Sequence, residues 1–202
     1  MIAVIDYGVG NLFSLCSSLK AIGADARVTA DPAQLRRAEK LILPGVGAFE
    51  DAAAKLRENG LDRLIREEVA AGKEILGICL GMQMLFEKSY EYGEHEGLGL
   101  LKGSVVGMEG RLPPELKIPH IGWNALRFYR PHRLLRYINE GDCVYFVHSY
   151  YAEGCEDSLI ASAEYGLELT AAVGKDNVMG CQFHPEKSGT VGLNILKAFC
   201  ED

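Results

Sequence analysis

The 202-residue sequence has no long apolar run; no stretch approaches the roughly 20 residues that a membrane-spanning helix needs. Its start, Met1-Ile2-Ala3-Val4-Ile5-Asp6, lacks a cationic leader and a small-residue cleavage site, so no signal peptide is expected. Positive charge is not in excess. Lys and Arg number 21 against 28 Asp and Glu, for a formal net charge of -7. No basic stripe is present to neutralise phosphates, which argues against nucleic acid as the main ligand. Short paired spacings are missing as well. Six cysteines stand at 16, 79, 143, 155, 181 and 200, with no Cys-x-x-Cys, and no His-x-x-x-His occurs. A zinc cluster is therefore not expected, nor any other metal or cofactor. Reduced thiols and a cytoplasmic location fit this cysteine usage. Internal repeats, linkers and low-complexity segments are absent. What is present is an ordinary globular composition, 48% hydrophobic and 24% charged, at a length that suits one domain with a substantial core.

The first half alternates strand and helix signals. Residues 2–6 form a short apolar run that ends in Tyr7-Gly8-Val9-Gly10. Asn11 is a candidate cap for a helix over 12–22, closed by Gly23. A second strand is expected at 26–29. Asp31-Pro32 then reads as a cap followed by proline at the first helical position. A third strand over 40–43 stops at Pro44-Gly45-Val46-Gly47. Helical segments are expected at 48–59 and 62–71, a fourth strand at 74–78, and a helix at 80–87. This βαβα order implies a parallel sheet covered by helices. Beyond about residue 98, short strand-like pieces at 104–108, 124–129, 143–151, 160–164, 170–173 and 178–183 favour antiparallel additions to that sheet. A last helix is expected from about 190 to 199.

Two stretches carry chemistry. Gly77-Ile78-Cys79-Leu80-Gly81 has the layout of a strand–nucleophile–helix elbow with Cys in the nucleophile position. Glycines two before and two after the thiol let strand and helix approach. A helix start beside the sulfur favours the thiolate, and the Leu80 N–H can face an oxyanion. The other five cysteines lack this setting and read as structural. Gln182-Phe183-His184-Pro185-Glu186 follows a core-like strand. Side chains two apart on extended backbone share a side, so Glu186 can orient His184 while the other ring nitrogen faces a thiol. His148, at the end of another apolar strand, competes for the role of base but has no carboxylate in that relation.

These motifs resemble the class I, triad-type glutamine amidotransferases over essentially the whole chain. Further matching pieces are Ile5-Asp6-Tyr7-Gly8-Val9-Gly10-Asn11-Leu12, Leu43-Pro44-Gly45-Val46-Gly47-Ala48-Phe49, Ile121-Gly122-Trp123-Asn124 and Tyr145-Phe146-Val147-His148-Ser149-Tyr150. They point to the members that serve histidine biosynthesis. The resemblance implies an α/β, flavodoxin-like fold forming one amidotransferase domain over 1–202. It implies Cys79 as nucleophile, His184 as base and acid, and Glu186 as the group that orients His184. Gly47 and Leu80 would supply the oxyanion donors, with Val46 as the flipping neighbour. Gly47, Gln83, Glu91, Ser149 and Tyr150 would contact L-glutamine. The implied partner is a HisF-type (β/α)8-barrel cyclase in a heterodimer. That cyclase would use the released ammonia to convert PRFAR into imidazole glycerol phosphate and AICAR. Trp123, Asn124, Tyr145 and Lys187 are the candidates for the interface around the ammonia passage.

Three other functions use similar parts. One is a glutaminase feeding a synthase for pyridoxal phosphate, anthranilate or GMP, which the Gly-Trp-Asn and Val-His-Ser-Tyr pieces argue against. Another is a cysteine peptidase or γ-glutamyl hydrolase, which would need no barrel partner. The third is a flavodoxin-like scaffold without catalysis, which the intact Cys79, His184 and Glu186 set argues against.

Overall fold

The computed structural model describes residues 1–201. Chain order begins β1 (Ile2–Ile5), α1 (Leu12–Ala21), β2 (Ala26–Thr29), α2 (Pro32–Arg37), β3 (Lys40–Gly45), α3 (Phe49–Glu58), α4 (Leu61–Ala70), β4 (Glu74–Cys79) and α5 (Leu80–Gln83). It continues β5 (Phe86–Ser89), β6 (His95–Glu96), β7 (Leu101–Gly107), β8 (His120–Ala125), β9 (Arg127–Phe128), β10 (Cys143–His148), β11 (Tyr150–Glu153), β12 (Leu159–Glu164), β13 (Glu168–Lys175), β14 (Val178–Cys181) and α6 (Gly189–Cys200). Asp31 caps α2 as its position suggests, its carboxylate accepting from the Ala33 N–H. Asn11 precedes α1 without a side-chain cap bond.

An eight-stranded mixed sheet runs β2-β1-β3-β4-β14-β13-β12-β9. The five strands from β2 to β14 are parallel, and β13, β12 and β9 extend them antiparallel. In β1, alternate side chains serve opposite faces. Ala3 and Ile5 join a core beneath α2, α3 and α4, whereas Ile2 and Val4 join one shared with α1 and α6. This two-residue period, with both faces covered, explains why the inner parallel strands are mostly apolar, whereas the edge strand β2 leaves Arg27 and Val28 exposed.

The later strands do not all join this sheet. Residues 143–151, expected as one strand, divide at Ser149: β10 pairs with β8, and β11 enters a separate sheet ordered β11-β7-β5-β6. Residues 124–129 likewise split between β8 and β9. The helix expected over 80–87 is a single turn. After it, the carbonyls of Met84, Leu85 and Phe86 accept from Leu98, Leu100, Leu101 and Gly99, and β5 pairs with β6 and β7. Strand pairing thus draws the chain from Phe86 onward into the second sheet in place of further helix.

The arrangement that matters for function is at the carboxyl ends of three neighbouring parallel strands. Gly45 of β3 lies opposite Cys79 of β4, and Cys181 of β14 lies opposite Ile78. The Pro44–Gly47 turn, the Cys79 elbow and the 182–186 segment therefore emerge side by side, where open α/β sheets place ligand chemistry.

Candidate active site

Cys79 closes β4 with φ 55° and ψ -113°. A side chain held in so sparsely populated a region costs on the order of 1–3 kcal/mol and persists only where the surroundings enforce it. The enforcement here is steric. A Cβ on Gly77 would stand 2.6 Å from the Gly81 carbonyl oxygen, and one on Gly81 would stand 1.8 Å from the Leu43 carbonyl oxygen. On the neighbouring strand, a Cβ on Gly45 would lie 2.7 Å from the Gly81 nitrogen. Three glycines thus let the elbow sit against β3.

His184 is 2% exposed, and its Nδ1 lies 2.8 Å from Glu186 Oε1. Burial pulls the ring's pKa down. Hydrogen bonding to Cys79 and Glu186, together with their negative charges, outweighs it and raises the ring to about 9. The His184 backbone is held as well: its N–H donates to the Tyr145 carbonyl at 3.0 Å, and its carbonyl accepts from the Ser188 hydroxyl at 2.6 Å. Ser188 Oγ in turn accepts from the Tyr145 N–H at 2.9 Å. Strand β10 therefore clamps the histidine segment through Tyr145.

Cys79 and His184 open into a cavity of about 640 Å³. Its wall includes the anticipated Gly47, Leu80, Gln83, Glu91, Ser149 and Tyr150. Gly47 has φ 94°, in the left-handed region that glycine tolerates. Glu91 Oε2 accepts from the Phe49 N–H at 2.8 Å, so this carboxylate sits at the start of α3, two residues past Gly47. Burial raises the Glu91 carboxyl, opposed by that backbone bond. Gln83 is buried and donates from Nε2 to the Tyr150 carbonyl and to Gln182 Oε1, each at 3.0 Å.

The rival histidine is not free to act as a base. His148 Nδ1 lies 2.8 Å from the Tyr150 carbonyl, and His148 Nε2 lies 3.0 Å from His120 Nδ1. Burial drives His148 down to about 3 and His120 to about 4, so both rings are neutral. Trp123 is 57% exposed, on strand β8 opposite Tyr145, with ring centroids 6.2 Å apart. Lys187 Nζ lies 5.8 Å from the Tyr145 centroid. Ile121, also 57% exposed, extends this patch along the same face of β8. Asn124 is on the other face, where its amide donates to the Glu164 carbonyl and contacts the His120 ring.

Sequence reasoning did not single out Tyr7, whose hydroxyl donates to the Pro44 carbonyl at 2.8 Å and so props the turn leading to Gly47. Burial, with the Cys79 charge behind it, raises this phenol and keeps it a donor. Tyr90, Tyr92, Ile118 and the 107–109 segment of the cavity wall were also missed. Pairing of β5, β7 and β11 within the second sheet carries Tyr90 and the 107–109 segment to the site, so no local signal marks them. Among the described residues, no group of three or more His, Cys, Asp and Glu side chains is placed to hold a metal ion. None of the described helices is long and apolar enough to cross a membrane.

Fold and site together define an α/β protein with a thiol elbow facing a carboxylate-paired histidine. The sequence model of the class-I glutamine amidotransferases matches residues 3–202, and the chain belongs to that family. Among similar proteins are imidazole glycerol phosphate synthase subunits HisH. That of Caldanaerobacter subterraneus subsp. tengcongensis is 54% identical over 202 residues, covering 100% of this chain and 98% of the relative. That of Bacillus subtilis is 51% identical, covering 98% and 95%. Two solved structures share the fold at low identity. One, described as a glutamine amidotransferase, has a TM-score of 0.75 at 20% identity, covering 98% of this chain and 99% of the other. The other, PurLQS from Thermotoga maritima, has a TM-score of 0.75 at 21% identity, covering 98% and 96%.

Proposed function

We infer that Cys79, His184 and Glu186 carry the chemistry of this chain, which is the glutamine-hydrolysing subunit of imidazole glycerol phosphate synthase. One observation carries the assignment of residues: the strained Cys79 elbow and the His184–Glu186 pair open together into one cavity. His184, raised to about 9, accepts the thiol proton. The Cys79 sulfur forms a bond to the side-chain carbonyl carbon of glutamine, whose oxygen takes up the charge. The C–N bond then breaks, and His184 returns its proton to the departing ammonia. Water, deprotonated by His184, cleaves the thioester to glutamate and regenerates Cys79. Glu186 keeps the ring oriented throughout.

Two N–H groups serve the oxyanion, one from Leu80 and one from the turn ending at Gly47. The positive φ of Gly47 supports a turn whose peptide can flip at little cost. Glu91, Gln83, Ser149 and Tyr150 hold the substrate, with the Glu91 carboxylate facing its ammonium group.

The partner is a HisF-type (β/α)8-barrel cyclase, docked on the exposed Trp123–Tyr145–Lys187 face, with ammonia passing directly to it. Tyr145 supports this reading, because its ring lies in that patch while its backbone grips His184. The test is glutamine turnover by the full chain, alone and with the barrel cyclase plus PRFAR. Turnover is expected to rise sharply with both present and to vanish in Cys79→Ala. Equal turnover with and without the partner would remove the coupling. Retained turnover in Cys79→Ala would remove the nucleophile.

A further inference from the structure

Gln182 is wholly buried one residue beyond β14, with its N–H bonded to the Ala171 carbonyl of β13 at 2.8 Å. Its Nε2 lies 3.7 Å from Cys79 Sγ. A side-chain amide carries an acceptor oxygen on one arm and a donor NH2 on the other, and the chemistry depends on which arm faces the sulfur. The surrounding bonds decide it. The Tyr150 backbone carbonyl can only accept. It therefore requires the NH2 end of Gln83, 3.0 Å away. That same nitrogen lies 3.0 Å from the other side-chain amide and requires the oxygen of Gln182 there. The NH2 of Gln182 is left to face the sulfur. Turning either amide over sets oxygen against oxygen or N–H against N–H, at the cost of an unpaired buried polar group. His148 Nδ1, 2.8 Å from the same Tyr150 carbonyl, adds a second donor to the anchor of the chain.

We propose that Gln182 is a further catalytic residue of this reaction: an amide donor, locked in polarity by Gln83 and the Tyr150 carbonyl, that holds the Cys79 sulfur as thiolate and aims it into the cavity. The proposal rests on Cys79 being the nucleophile. Gln182 and His184 stand two apart, so they approach the same sulfur from one strand end. Only His184 can take the proton. Gln182 supplies a fixed dipole that favours the anion before attack and again when the thioester is cleaved, while charge resides on sulfur. A donor to an ionised group is stronger than one to a neutral partner, so the bond favours the thiolate over the thiol.

The test is the pH profile of Cys79 alkylation by iodoacetamide in the full chain, read by mass on the Cys79 peptide. The unsubstituted protein is the first arm. Cys79, though 7% exposed, is expected to react faster at pH 7 than the exposed Cys143. If it does not, the nucleophile assignment falls and the proposal with it. Gln182→Glu is the second arm. It retains an acceptor for Gln83 but turns an oxygen towards the sulfur. Its alkylation midpoint is expected to rise by about one pH unit, with about tenfold slower labelling at pH values below both midpoints. Gln182→Met, similar in length and without the donor, should shift the midpoint the same way by less. A purely structural role would lower thermal stability and leave the midpoint in place. Fast labelling of Cys79 in the unsubstituted protein, with unchanged midpoints in both folded variants, would overturn the proposal alone. If Gln182→Glu fails to fold, the Gln182→Met midpoint decides.

Discussion

Replacing Gly81 by alanine tests whether the packing of the elbow against β3 creates the reactive thiol. The added Cβ would fall 1.8 Å from the Leu43 carbonyl oxygen, 2.8 Å from its carbon and 3.2 Å from the Pro44 carbonyl carbon. All three are backbone atoms of β3, so no side chain can swing aside. A carbon–oxygen contact relaxes at about 3.3 Å, so the strand and the elbow must part by roughly 1.5 Å. Overpacking of this kind costs about 1–3 kcal/mol or more. The kinetic effect should be larger, because β3 runs directly into the turn bearing Gly47. A displacement of about 1 Å at a reacting centre can cost on the order of 100-fold. The assay pairs urea denaturation with glutamine turnover in the presence of the barrel cyclase and PRFAR. Gly60→Ala is the control: its φ is 65°, but a Cβ there meets nothing within 4 Å. It should lose about 1–2 kcal/mol from backbone strain and keep full turnover. Gly81→Ala with unchanged stability and turnover would refute the steric account of the elbow.

Stability should also depend on pH through His184. Its folded value of about 9 stands above the usual 6.5, so its contribution is complete below pH 6.5 and fades as pH rises towards 9. The loss is bounded at about 3 kcal/mol in urea titrations at pH 6 and 9.5, and Glu186→Gln should flatten the difference. Glu91→Ala should cost about 1 kcal/mol of stability by uncapping α3 and should also raise the KM for glutamine; a stability loss at constant KM would confine Glu91 to capping. Trp123→Ala should weaken binding of the barrel cyclase by about 2 kcal/mol, measured by calorimetry, with little change in thermal midpoint because the ring is exposed. An unchanged affinity would move the docking face away from β8.

Much of the site was readable along the chain because its signals are local. The glycine spacing around Cys79 reflects contacts at the elbow, and the two-residue relation of His184 and Glu186 is a property of extended backbone. Strand–helix alternation in the first half is likewise local, since each apolar run has its own period and stop. The reading failed where a distant partner decided the outcome. Residues 84–87 carry an apolar run compatible with helix, but pairing with β6 and β7 takes the chain from Phe86 onward into a strand. Ser149 looks like one residue in a continuous strand, yet the chain changes sheets there.

The sequence by itself determined which reactive groups exist and how each is presented: a thiol between glycines, an imidazole two residues from a carboxylate, and turns able to adopt positive φ. Tertiary structure decided which of them meet. The strand order β3-β4-β14 sets residue 45 beside 79 and residue 181 beside 78, although more than a hundred positions separate the last two. It also decided the orientation of Gln182, because the Tyr150 carbonyl that sets the direction of the amide chain arrives on a strand of another sheet. Hydrogen-bond polarity passes between neighbours in space, so no periodicity along the chain encodes it.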